Sequence, residues 1–231
     1  RTRSAELQAR FDALGGEMAI GLEAEHVTHD MLITNPANSN FFVTGFPDIS
    51  METLGAFAEW TGEAGPVMAE LGLRVDQHRD EAGQARLGPA LPMGPAMVAN
   101  AFNASDRETE DTTVDIVARF WTPAKDGLSY RATLARKQQM PGYIQRFGWL
   151  PINASGGLAD GNIYVGDLTL EPETATIFEL GVDYFGSRFY ARPTIFVRDI
   201  ENYIQGVPFD DTPGVLNTPQ EMIANMNGAA T

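Results

Sequence analysis

The chain has 231 residues, 43% hydrophobic and 20% charged, with 16 basic against 31 acidic side chains and a net charge of −15. That balance excludes a disordered tail and argues against a nucleic-acid-binding surface, which presents basic side chains to phosphates. The absence of cysteine excludes disulfides, zinc-thiolate sites, iron–sulfur clusters and a cysteine nucleophile. No apolar run reaches the roughly 18 residues of a membrane helix, a test that leaves β-barrels untouched because their strands alternate. The sequence opens on Arg1, with neither Met nor signal peptide, and is expected to be a piece of a longer polypeptide.

Period-two alternation is the dominant signal, and it recurs along the chain. Ala5, Leu7, Ala9, Phe11 and Ala13 alternate with Ser4, Glu6, Gln8, Arg10 and Asp12. After Gly15-Gly16, Met18, Ile20, Leu22 and Ala24 alternate with Glu17, Gly21, Glu23 and Glu25. Leu54, Ala56, Ala58 and Trp60 share a third apolar face. A fourth carries Val67, Ala69, Leu71, Leu73 and Val75 against Glu70, Arg74 and Asp76. Val114, Ile116, Ala118 and Phe120 then oppose Asp115 and Arg119, and Leu128, Tyr130, Ala132 and Leu134 oppose Ser129, Arg131 and Thr133. Last come Phe178, Leu180, Val182 and Tyr184 against Glu179 and Asp183, and Phe189, Ala191, Pro193, Ile195 and Val197 against Arg192, Thr194 and Arg198. The spacing predicts about eight antiparallel strands of roughly ten residues, the length that crosses a bilayer at a tilt.

The connections alternate short and long. Short ones fall near 15, 62–66, 123–127 and 186–187, and long ones near 26–50, 79–110 and 137–173, with a long tail from 205. Structureless loops of more than about 15 residues are uncommon in compact soluble domains. On every second connection they match a barrel with tight periplasmic turns and long extracellular loops. Strands entering a short turn end in Phe11, Trp60, Phe120 and Tyr184 on the apolar face, where a membrane barrel wears its aromatic girdle. The fold class is therefore all-β, an antiparallel transmembrane β-barrel segment. Leu71, Leu73, Ile116, Ala118, Leu180 and Val182 are expected to face lipid, and Glu70, Arg74, Asp115, Arg119, Glu179 and Asp183 the lumen.

One region carries a resemblance. Ala135-Arg136-Lys137 leads to Pro141-Gly142-Tyr143-Ile144-Gln145-Arg146-Phe147, then Gly156-Gly157-Leu158-Ala159-Asp160-Gly161-Asn162 and Gly166-Asp167. Leu170-Glu171-Pro172-Glu173 and Glu179-Leu180-Gly181-Val182-Asp183-Tyr184 follow. This resembles the barrel of TonB-dependent outer-membrane receptors, where an L-x-P-E … E-L-G-x-D pair joins a long extracellular loop to a descending strand. The strand over 192–205 and the hairpins around 56–60 and 71–76 are similar too, so the resemblance runs from about Gly16 to Gln205.

The resemblance implies a 22-stranded barrel, a size at which the lumen is filled by a plug. Residues 1–205 would be about a third of that wall and 206–231 an extracellular loop or truncated end. The plug, the TonB-contacting motif and the C-terminal strands would lie outside this sequence. It further implies a bacterial outer-membrane location, the TonB complex as partner through the plug, and surrounding outer-membrane lipid. The expected function is energised uptake of a metal chelate such as a ferric siderophore, with copper or cobalamin as other cargoes, no resident cofactor and no enzymatic step.

Six residues are candidate substrate contacts on the extracellular side. His26-x-x-His29-x-Met31 offers borderline and soft ligands suited to copper. His78 ends another ascending strand, and Tyr143 and Trp149 sit on the third long loop, which is loosely similar to that of copper-importing members. Met93, Met97 and Met140 lie on neighbouring loops. A plainer reading stands beside this one: scattered His and Met populate loops, since two His three apart on a strand face opposite sides. No metal site is assigned. The segment 156–161 reads as a turn and not a phosphate cradle, and Asp160, Asn162 and Asp167 lack EF-hand spacing. No G-x-S-x-G motif supports a barrel hydrolase; the alternatives to a receptor are a passive porin or an adhesin barrel.

Overall fold

Tight turns and two-faced strands build one sheet. The computed structural model describes residues 1–91, 93–150, 164–208 and 223–230. In chain order these form β1 (Thr2–Ala13), β2 (Gly16–Asn35), β3 (Asn38–Ala64), β4 (Val67–Glu81), α1 (Met93–Ala104), β5 (Glu108–Trp121), β6 (Leu128–Gln139), α2 (Tyr143–Phe147), β7 (Tyr164–Val165), β8 (Glu173–Phe185), β9 (Tyr190–Ala191), β10 (Thr194–Pro208) and β11 (Ile223–Ala230). The strand order is β1-β2-β3-β4-β5-β6-β8-β10-β11-β7, with β9 against β8. Pairing is antiparallel throughout except for β11 with β7. The expected antiparallel all-β class holds, and within this chain the sheet is an unclosed arc.

The turns explain the register. Leu14 (φ 54°) and Gly15 (φ 74°) are both left-handed, as are Asp126 (φ 52°) and Gly127 (φ 78°). Two central residues with positive φ make the type I′ hairpin turn whose twist matches that of the flanking strands. From Leu14-Gly15 the pairing runs without slips through β1–β2, and from Gly65-Pro66, where Gly65 has a φ of 67°, it runs without slips through β3–β4.

The two faces follow the alternation. Leu71, Leu73, Ile116 and Leu180 stay 43–49% exposed on the outer face. Opposite them, charges pair across strands. Arg74 reaches Glu23 of β2 at 2.8 Å and also Asp76 on its own strand at 2.7 Å, Arg119 meets Glu70 at 2.5 Å, and Arg131 and Arg192 both meet Asp183 at 3.1 Å. A soluble core would invert this arrangement.

Three expectations need correction. The connection over 26–50 is no loop: β2 and β3 continue as paired strands to Asn35↔Asn38, with register shifts between His29 and Leu32. The connections over 79–110 and 137–173 are not structureless, because they carry α1 and α2. In α1, Ala99 and Phe102 are buried three residues apart, a helical spacing that strand alternation does not detect. Finally, β10 runs past 205 to Pro208 and pairs with β11, so the sheet extends into the segment expected to be a loop or truncated end.

Candidate functional site at the barrel mouth

Above the apolar band the connections fold onto one another. Val43, Ile49, Ala82, Ala85, Ala99, Phe102, Phe147, Trp149 and Leu150 form a buried core there. It joins the β2–β3 arm, the β4–β5 connection and the β6–β8 connection. The arm departs from a straight ladder where Asp48 takes a left-handed φ of 43° and the β2–β3 register shifts; such bulges bend strands and re-aim side chains.

His29 shares the inner face of β2 with Gly21 and Glu23, and its ring stacks on Tyr143, centroids 3.8 Å apart at 11°. Phe46 meets Tyr143 edge-on at 5.1 Å, and Met31 pairs with Phe46 in the register. Gly45 leaves the space that the Met31 methyl occupies; a Cβ there would collide with it. His29, Phe46 and Tyr143 thus make one aromatic patch, and the Met31 thioether lies against neighbouring Gly45. Burial lowers the His29 pKa, so its imidazole is neutral near pH 7.

The other sequence candidates lie elsewhere. His26 faces outward and bonds Glu52 at 3.2 Å, so it diverges from His29 as strand alternation demands. His78 lies on the inner wall between Thr53 (3.1 Å) and Thr113 (3.0 Å), with both ring nitrogens engaged. Trp149 is 3% exposed, and its Nε1 donates to the Thr44 carbonyl at 3.0 Å, which makes it an anchor of the cap core. Met93 and Met97 project from α1, 79% and 66% exposed. The turn at 156–161, with Asp160 and Asn162, lies outside the described residues. Among the described residues no three His, Asp or Glu side chains converge as a metal site.

Sequence reasoning missed the residue that organises this region. Arg146, on α2, has its side chain 1% exposed. Its Nη1 donates to Asp80 Oδ2 (3.2 Å) and Thr109 Oγ1 (2.9 Å), and its Nη2 to Asp111 Oδ2 (3.0 Å) and the Leu170 carbonyl (2.7 Å). Burial pushes the Asp80 carboxyl up to about 6 against the pull of Arg146. The sequence signal is a lone charge among apolar residues, Ile144-Gln145-Arg146-Phe147-Gly148-Trp149-Leu150. Arg146 also floors a cleft of about 770 Å3 between α1 and residues 165–169, lined by Phe102, Ser105, Thr109, Trp149 and Asp167.

A lipid-facing apolar surface, a charged inner wall and an inward-packed extracellular cap together describe a receptor barrel. The profile of the family described as TonB dependent receptor-like, beta-barrel, matches residues 2–230. The chain belongs to the TonB-dependent receptor family. Barrels of this family are outer-membrane proteins, and its members are receptors and transporters rather than enzymes. No curated protein sequence matches the chain. Among solved structures, the copper transporter OprC is similar over 99% of this chain and 32% of its own, with a TM-score of 0.68 at 17% identity. The Serratia marcescens hemophore receptor HasR, solved as a double mutant with its hemophore HasA and heme, is similar over 98% and 36%, with a TM-score of 0.65 at 15% identity. The FrpB iron transporter of Neisseria meningitidis is similar over 98% and 30%, with a TM-score of 0.57 at 14% identity. Identities this low show the fold alone. The chain spans about a third of the length of each of these structures.

Proposed function

We propose that this chain is part of the wall and mouth of an outer-membrane receptor that takes up a metal chelate, a ferric siderophore above all, with energy delivered by the TonB complex through a plug in the lumen. The observation that carries the reading is the patch of His29, Phe46 and Tyr143, with Met31 beside it, on the inner side of the mouth, above a wall of paired charges. Aromatic faces suit the organic shell of a chelate better than a bare ion. In this reading His29, Met31 and Tyr143 touch the cargo, with His78 on the wall beside them. Trp149 and His26 act indirectly, one by anchoring the cap and the other at the outer rim. Binding and a conformational switch replace catalysis, so nothing is chemically transformed.

Copper is the second cargo to consider, because His29 and Met31 lie two apart on one strand face and supply a neutral imidazole and a thioether. The deciding experiment is uptake by the full receptor of ferric siderophore, copper and cobalamin, in cells with and without TonB. Siderophore uptake that disappears without TonB, and falls with His29→Ala and Tyr143→Ala together, is the expected result. Uptake indifferent to TonB identifies a passive porin instead.

A further inference from the structure

We propose that Arg146 is the clasp of a strap, residues 143–150, which folds across the inner side of the barrel mouth and opens when its guanidinium leaves Asp80 and Asp111. The strap lies inside the arc. Asp80, Thr109 and Asp111 occupy the strand positions that share a face with Arg74, Asp76 and Asp115, opposite the exposed Leu71, Leu73 and Ile116. Tyr143 at one end of the strap rests on inward-facing His29, and Trp149 at the other is tied to Thr44 on β3. The return segment is fastened to the strap's back: Gly166 N–H donates to the Gly148 carbonyl at 2.7 Å, and Asp167 N–H to Gln145 O at 2.8 Å. A Cβ on Gly166 would strike the Arg146 carbonyl, so strap and return segment move as one layer.

Three features make the seat releasable. The helix in the strap has five residues, too few to persist without its tertiary contacts. Its main polar tie is a buried ion pair, in which Coulomb attraction and desolvation nearly cancel. Two carboxylates face one guanidinium, so the closed seat carries an excess of negative charge. Withdrawal of Arg146 opens the inner wall at His78 and the buried Thr113 to the extracellular medium. The clasp belongs to the cap whatever the cargo is, so its test and the uptake test fail separately.

The chain has no cysteine, which allows a clean reporter within it. Thr113→Cys, buried on the inner face of β5 and not a partner of Arg146, is introduced in the full receptor in native outer membranes and labelled from outside with a membrane-impermeant maleimide. Labelling is expected to be slow with Arg146 in place and about a hundredfold or more faster with Arg146→Met. Arg146→Lys keeps the charge but loses the fork, and falls between. Asp111→Asn loosens the clasp without touching the strap and raises the rate by less than Arg146→Met. Resistance to SDS at room temperature reports in each variant that the wall is folded. If Arg146→Met does not reach the membrane, Arg146→Lys and Asp111→Asn decide. Equal labelling across folded variants overturns the proposal, as does labelling with Arg146 in place that is as fast as in the unfolded receptor.

Discussion

The wall and the cap of this sheet are built on opposite rules. On the wall Leu71, Leu73 and Ile116 are 43–48% exposed while charges look inward; in the cap Ile49 and Phe147 are 0% exposed. The same strands pass through both regions. β4 presents Leu71 and Leu73 to lipid low down, then Asp80 to a protein interior near its upper end. The difference shows that the solvent, hydrocarbon below and water above, decides which face a period-two strand buries. A hydropathy pattern therefore has to be read together with height along the strand.

The comparison can be broken most forcefully at its polar hinge. Arg146→Met strands Asp80 as a buried, uncompensated carboxylate, and breaking such a pair costs about 3–5 kcal/mol. Protease nicking of the β6–β8 connection should report this loss while the wall stays intact; nicking at the parent rate would show that the cap does not depend on the clasp. On the wall, Leu71→Arg should cost about 2–4 kcal/mol of receptor stability at the bilayer midplane, against little for Glu70→Arg on the lumen side. Denaturation in lipid bilayers compares the two, and equal losses would reverse the face assignment. Trp149→Phe keeps the cap's bulk but removes the bond to Thr44, an expected loss of about 1 kcal/mol seen in cap protease protection and not in wall unfolding.

The smallest expected effect is one of pH. Burial holds Asp80 up to about 6 against an ordinary 3.8, with Arg146 from α2, Asp111 from β5 and neighbouring His78 of β4 around it. A raised carboxyl makes the closed cap bind an extra proton. This contribution is fully present below the ordinary value and is lost as pH rises through about 6. The labelling rate of Thr113→Cys, divided by that of the unfolded receptor at the same pH so that thiolate chemistry cancels, should therefore be lower at about pH 5.5 than at about pH 7.5. With Asp80→Asn the slope should reverse, because burial lowers the pKa of His29 and His78 and their protonation opposes the closed cap; a slope of unchanged sign would assign the titration to another group.

The wall was legible because its information is local. Each of Leu71, Glu70 and Leu73 declares its face through its immediate neighbours, and Gly15 and Gly127 mark turns that set register. The cap was not, because its partners are distant in sequence: Trp149 and Thr44 are 105 residues apart, and Arg146 and Asp80 are 66 apart. Asp80 fell within the connection over 79–110 that was expected to be a loop, and nothing along β4 or β5 reveals that an arginine arrives from α2. The divergence of His26 from His29 was readable from strand geometry alone, while the stack on Tyr143 was not.

The hairpin turns also set a timetable. A two-residue turn such as Leu14-Gly15 brings Ala13 and Gly16 together after the shortest of loop closures, within microseconds for an isolated hairpin. Contacts spanning 66 or 105 residues must wait for a far larger loss of chain freedom. The wall can therefore be laid down hairpin by hairpin from its periplasmic turns, and the mouth closes only after β2 to β8 stand side by side. A receptor caught midway through assembly would present a continuous apolar belt to lipid and an unfinished, protease-sensitive rim to the outside.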